Sequence, residues 1–148
     1  LGDLARTVLD DLRSGATGRS VRTVVAPDLI ARGDPDLLRI LMENLLSNAW
    51  KFTARNEDAT IEFGTEILDG ERVFLVRDDG AGFDMKYASQ LFAPFQRLHA
   101  AGEFPGTGIG LATVQRIVHR HGGRIWAEAA SGRGVTFRFT LGEGGKDR

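Results

Sequence analysis

The segment "ENLLSNAWKF", Glu43 to Phe52, reads as helix and carries Asn44, Asn48 and Lys51 at i, i+4 and i+7. At about 100° per residue these three side chains share a narrow stripe, although each Asn lowers helix propensity by roughly 0.5 kcal/mol relative to Ala. Upstream, Asp34 followed by Pro35 marks the helix start, because Asp accepts from a free N–H and Pro lacks the donor that a first turn leaves unpaired. From there Leu38, Leu41, Leu45, Ala49 and Phe52 form an apolar stripe beside the polar one. The polar row therefore borders the core.

Working outward, "DLARTVLDDLR" predicts an opening helix with Leu4, Val8 and Leu12 on one face behind an Asp3 cap, ending near Gly15 and Gly18. "SVRTVVAP" reads as a strand. Ile61, Phe63 and Ile67 alternate with Glu62 and Glu66, and "ERVFLVRD" follows Asp69-Gly70, which predicts a hairpin with positive φ at Gly70. A short helix over 86–92 and a glycine-punctuated loop over 99–107 come next. A helix from about Gly108 to His121 presents Ile109, Ala112, Val114, Ile117 and Val118, and stops at Gly122-Gly123. "GRIWAEA" and "GVTFRFTL" then pair as strands, with Val135, Phe137, Phe139 and Leu141 on one face. The expected fold class is α+β: a two-layer α/β sandwich with helices on one face of a mixed sheet.

Composition bounds the function. With 148 residues, 42% hydrophobic and 26% charged, the chain fits one globular domain. A formal charge of −1 supplies no basic field for nucleic acid or an anionic membrane. Zero cysteines exclude disulfides and thiolate chemistry and fit a reducing compartment. No apolar run approaches the ~20 residues that span a membrane, and no signal peptide opens the chain. Because the first residue is Leu, the chain is expected to be part of a longer protein, cytoplasmic in location whether that parent is soluble or anchored.

Two glycine-rich stretches bear on the asparagine stripe. "DDGAGF", Asp78 to Phe83, follows an apolar strand, and a carboxylate there can accept from an amino group. "PGTGIGLATV" places three glycines two apart before a helix, where outward N–H groups and the helix dipole favour an anion. Each has a plainer reading: an ordinary tight turn for the glycines, turn residues for Asp78 and Asp79, and a solvated face for the Asn pair. Jointly they point to a Mg²⁺-nucleotide site, since Mg²⁺ prefers hard oxygen ligands and shares substrate phosphates. The glycine spacing fits neither a Rossmann fingerprint nor a Walker P-loop.

These motifs resemble, in order, those of the catalytic ATP-binding domain of sensor histidine kinases, in the superfamily shared with gyrase, Hsp90-type chaperones and mismatch-repair ATPases. "NLLSNAWKF" is similar to the asparagine box, "DDGAGF" to the first glycine box, "FAPFQR" to the phenylalanine box and "GTGIGL" to the second glycine box; "GRGVTFRF" matches a late strand motif. The lid stretch is similar to that of phytochrome-like and PAS-linked kinases. The resemblance implies a Bergerat-type fold with a mostly antiparallel sheet over 1–142; the glycine-rich, polar residues at 143–148 read as a flexible tail.

It also implies roles. Asn44 and Asn48 would contribute to a Mg²⁺ site, Lys51 would contact phosphate, and Asp78 would accept from the adenine amino group. Gly80 and Gly82 would shape the base pocket, with Phe83 beside them. Gly106, Gly108 and Gly110 would cradle phosphate, joined in the nucleotide-binding set by Thr107, Ile109, Leu111 and Thr136. Phe92 and Phe95 would anchor a lid over 99–105, and Arg97 would stabilise charge on the transferring phosphoryl group.

Related ATPases carry a water-activating glutamate where this chain has Asn44, so transfer is favoured over hydrolysis. Glu43 points about 100° away and remains open as a water-orienting group. None of His99, His119 and His121 fits the family's acceptor motif, and His119 and His121 read as residues favoured by the helix C-terminal dipole. The implied partners are a dimerisation and phosphoacceptor hairpin outside this chain and a downstream response-regulator receiver domain, with no nucleic acid and no direct membrane contact; the chain alone is expected to be monomeric. Alternatives are a catalytically silent nucleotide-binding regulatory module, a serine kinase of the anti-sigma type, or an ATPase of the superfamily.

Overall fold

The computed structural model describes residues 1–14, 21–27, 31, 33–53, 59–80, 109–129 and 134–142, and of Phe52, Ile109 and Gly110 the backbone alone. The helix expected at 86–92, the loop at 99–107 and the tail at 143–148 lie outside the described residues. Elements follow the order α1 (Gly2–Ser14), β1 (Val21–Val25), α2 (Pro35–Phe52), β2 (Ala59–Leu68), β3 (Glu71–Asp78), α3 (Ile109–Arg120), β4 (Ile125–Ala129) and β5 (Val135–Phe139).

Helix α2 begins as the Asp34-Pro35 pair dictates. Asp34, extended at φ −72° and ψ 117°, accepts from the backbone N–H groups of Asp36 and Leu37 at 2.9 and 3.2 Å. Such a cap contributes about 1 kcal/mol. The apolar face is wider than one stripe, because Met42, Leu46 and Trp50 are buried with Leu38, Leu41, Leu45 and Ala49. The reason is position: α2 packs on α1, α3 and the sheet at once.

Helix α1 departs from expectation. It begins one residue earlier, with the Ala5 N–H bonded to Leu1 O at 2.9 Å, so Asp3 sits inside the first turn and pairs with Arg6 instead of capping. Ala5, Val8 and Leu9 face the core, while Leu4 and Leu12 flank it. Ile67 also departs, at 66% exposed, because the β2–β3 hairpin runs past the layer of helices. Its turn has φ 51° at Asp69 and 80° at Gly70. Two consecutive positive φ values match the twist of a two-residue hairpin, and Asp tolerates the first of them.

The five strands form one sheet in the order β1-β2-β3-β5-β4. Only β1 and β2 run parallel, joined through α2, and the other pairs are antiparallel. Alternation gives the sheet two unlike faces. On the helix side Ile61, Phe63, Phe74, Val76, Phe137 and Phe139 enter the common core, with the Phe74 and Phe139 ring centroids 5.3 Å apart. On the other side Arg138, with 15% of its side chain exposed, bridges Glu66 of β2 and Glu128 of β4 across β3. Val73 and Leu75 are buried beneath this ionic layer, opposite Glu66 and Arg138 in register.

Helix α3 buries Leu111, Val114, Ile117 and Val118 and ends as its glycines require. Gly122 adopts φ 78°, its N–H bonds His119 O at 2.9 Å and the Gly123 N–H bonds Val118 O at 3.0 Å. This double closure satisfies carbonyls the helix would otherwise leave free. Among the described residues no helix is long and apolar enough to cross a membrane.

Candidate functional site

The end of α3 meets the start of α2, and the two helices pack along each other. They therefore run in opposed directions, which brings the C-terminal half of α2, with its polar stripe, beside the start of α3. Asn44, Asn48 and Lys51 are each half-buried at the border of the core. Among the described residues, no hydrogen bond or ion pair engages the two side-chain amides or the ammonium. Glu43, by contrast, is exposed and pairs with Arg39 at 3.3 Å, turned away from the stripe. Ile109 and Gly110 open α3, whose first turn holds no acidic residue to offset its dipole.

Asp78 ends β3 with only 4% exposure. It lies two residues beyond Val76 and opposite Ile61 and Val135, so its carboxylate turns to the helix side. Burial pushes its pKa up to about 7; backbone N–H groups of Gly80 and Val135 oppose that shift and the charge of Asp79 adds to it. The Gly80 bond is 2.9 Å. No cation among the described residues pairs with this carboxylate. It is a buried acceptor held close to its ionisation point.

Gly134 fixes that carboxylate's backbone from behind. At φ 85° it approaches so closely that a Cβ would lie 2.0 Å from Asp78 O and 2.8 Å from the Asp79 Cα. Neither Gly134 nor Val135 belongs to the expected site set, although strand alternation identifies Val135, since residue 135, not 136, faces the same way as Asp78. Thr136 points to the opposite sheet face, where its hydroxyl accepts from Arg77 Nε at 3.3 Å. Leu111 is 6% exposed and belongs to the core, so it supports the helix from below. Gly82, Phe83, Phe92, Phe95, Arg97, Gly106, Thr107 and Gly108 lie outside the described residues.

A cleft of ≈ 540 Å³ is lined by Thr60, Glu62, Arg77, Glu128 and Thr136 of that opposite face and reaches Asp78, Asp79 and Gly134 at the end of β3. On the outer face its charges are engaged, since Arg77 pairs with Glu62 at 3.3 Å and Glu128 with Arg138. Among the described residues, the side-chain amides of Asn44 and Asn48 and the Lys51 ammonium, which no hydrogen bond or ion pair engages, stand on the helix side.

Residues 33–144 match the family described as histidine kinase-, DNA gyrase B- and HSP90-like ATPase. Cyanobacterial phytochrome A of Nostoc is 42% identical over 137 residues, covering 92% of this chain and 17% of that protein. Sensor histidine kinase WalK of Bacillus subtilis is 33% identical over 125 residues, 82% of this chain and 20% of its own length. The chain thus spans a fifth or less of these curated relatives. Among solved structures, a mycobacterial sensor histidine kinase, MprB, superposes with TM-score 0.77 at 24% identity, covering 94% of this chain and 93% of that one. Full-length ShkA in complex with AMPPNP superposes with TM-score 0.73 at 27% identity, covering 93% of this chain and 29% of that one.

Proposed function

Because the chain belongs to the histidine kinase-, DNA gyrase B- and HSP90-like ATPase family, we propose that it binds Mg²⁺-ATP between α2 and the start of α3 and passes the γ-phosphoryl group to a histidine outside this chain, in two-component signalling. The observation that carries this reading is Asp78: a buried carboxylate with no cation against it among the described residues, whose burial is relieved by an incoming N–H donor. The exocyclic amino group of adenine is such a donor, and a guanine carbonyl in that place would repel it. The backbone N–H groups of Gly80 and Val135 hold the carboxylate in place.

The unengaged amides suit the rest of the nucleotide. Asn44 and Asn48 present two neutral oxygens one helical turn apart, which fits a cation that takes its remaining ligands from water and phosphate. Mg²⁺, when bound, offsets phosphate charge and orients the terminal phosphoryl group. Lys51 adds a positive charge on the same side, and the start of α3 adds backbone N–H donors. Arg97 is assigned to charge that develops on the transferred group. In the transfer the β–γ phosphoanhydride bond breaks, ADP leaves, and a phosphorus–nitrogen bond forms as the imidazole loses its proton to solvent. No carboxylate stands in the stripe to activate water, since residue 44 is an amide and Glu43 is held by Arg39. The receiving hairpin and a response regulator complete the pathway.

Calorimetric titration with ATP and a non-hydrolysable analogue, with and without Mg²⁺, tests the reading beside Asp78→Asn and Asn48→Asp. Binding that requires Asp78, changes its metal dependence at residue 48 and releases no phosphate is the expected result. Absence of binding in the parent chain overturns the site; steady phosphate release moves the protein to the hydrolases.

A further inference from the structure

His121 follows the last turn of α3 and is not placed as a dipole-stabilised cation. Its Nδ1 lies 2.9 Å from Ile117 O, and its Nε2 lies 3.1 Å from the backbone nitrogen of Asp34. A backbone N–H can only donate, so Nε2 must be the accepting nitrogen and Nδ1 must carry the proton. The ring is neutral in a single tautomer. One of its bonds is to its own helix and the other is to the capping residue of α2.

The contact is closely fitted. A Cβ on Gly33 would lie 2.6 Å from His121 Nε2 and 2.9 Å from a Leu38 methyl carbon, so residue 33 can be only glycine while the ring stays where it is. Among the described residues, the charged groups around the ring are already occupied or exposed: the Asp34 carboxylate accepts from the Asp36 and Leu37 N–H groups, while His119 and Arg120 face solvent. Behind the ring, Gly123 sits against Thr140, where a Cβ would meet the carbonyl oxygen at 1.8 Å, and Arg124 and Thr140 exchange bonds through N–H, carbonyl and hydroxyl groups. The end of α3 is thereby tied to the sheet as well as to α2.

We propose that His121 is a positioning residue for the nucleotide site: it pins the start of α2 to the end of α3, and so sets how the asparagine stripe stands relative to the glycine-rich start of α3. Asp34 and Asn44 are ten residues apart, about 15 Å along the helix, so the pin acts at the far end of the pair from the nucleotide. With this end held, movement of the two helices is confined to the end where phosphate binds. Without it, α2 can slide or tilt on α3, and groups on the two helices no longer meet the same phosphates. This inference rests on the Mg²⁺-ATP reading given above.

Two isosteric changes separate the ring's two bonds. In His121→Gln the side-chain oxygen reaches the Nε2 position and still accepts from Asp34. In His121→Asn the amide occupies the Nδ1 position, keeping the bond to Ile117 O and losing the one to Asp34. Calorimetry with Mg²⁺-ATP on the folded chain should show His121→Asn and Gly33→Ala weakened about fivefold or more, with His121→Gln within twofold of the parent. Nitrogen-15 spectra of the parent should show one neutral ring with the proton on Nδ1. Equal affinity for the Asn and Gln variants, or a loss of stability with unchanged affinity in all three, overturns the proposal while leaving the nucleotide site intact. Failure of the parent chain to bind ATP overturns both.

Discussion

The two faces of the sheet use charge in opposite ways. On the outer face Arg138 lies between Glu66 and Glu128, and Arg77 between Glu62 and Thr136, so each buried or half-buried charge has a partner. On the helix face Asp78 is more deeply buried than any of these, and among the described residues backbone N–H groups, not a cation, stand against it. The outer face is internally satisfied, and the helix face keeps one ionisable group in reserve. A protein stabilises itself where its polar groups are paired; it binds where one is left to be paired by something else.

Breaking the apolar support of the helix face should have the largest effect. Phe137→Ala removes a ring that is 2% exposed beside Val76 in register. It should lower unfolding free energy by about 3–5 kcal/mol in urea titrations.

Asp78→Asn sharpens the contrast most. The folded chain holds the Asp78 proton up to about pH 7, while the unfolded chain releases it near 3.8. Folding therefore favours the protonated form between those values, and this group's contribution to stability falls as pH rises from about 4 to 7. At pH 8 the full penalty of a buried charge is present; below pH 4 it is absent. Asp78→Asn should accordingly stabilise the nucleotide-free chain at pH 8 by on the order of 3 kcal/mol and do little at pH 4, as read from paired urea midpoints. The same variant should lose ATP affinity. Parent affinity should itself weaken as pH drops below 7, because the protonated carboxyl accepts less well.

On the outer face the effects should be smaller. Arg138→Ala uncovers Val73 and Leu75 and frees two carboxylates, for a loss of about 1–2 kcal/mol; Arg138→Met, which retains the covering stem, should recover much of that in the same assay. Arg77→Ala, at a pair nearly half exposed, should change stability by less than about 0.5 kcal/mol and leave nucleotide titrations unchanged. If Arg77→Ala lowers ATP affinity, the division between a structural face and a binding face is wrong.

Elements with local signals were legible in the chain itself. Asp34-Pro35 placed the start of α2, Asp69-Gly70 placed the hairpin, and Gly122-Gly123 placed the end of α3, since each acts through its own backbone. Strand alternation in Val135, Phe137 and Phe139 was equally plain. Readings that depended on a neighbour went astray. The buried face of α1 is rotated towards Ala5 and Leu9, and Ile67 is exposed beyond the helices.

The amino-acid sequence by itself determined where elements begin and end and which residue types could meet a nucleotide, because capping, turn geometry and side-chain periodicity are local. Only the tertiary structure decided the electrostatic state of those residues. The burial that holds Asp78 near neutrality depends on strands and helices brought together from distant parts of the chain, and the tautomer of His121 depends on a backbone N–H 87 residues away. A charge's surroundings are set by packing, and no local pattern encodes them.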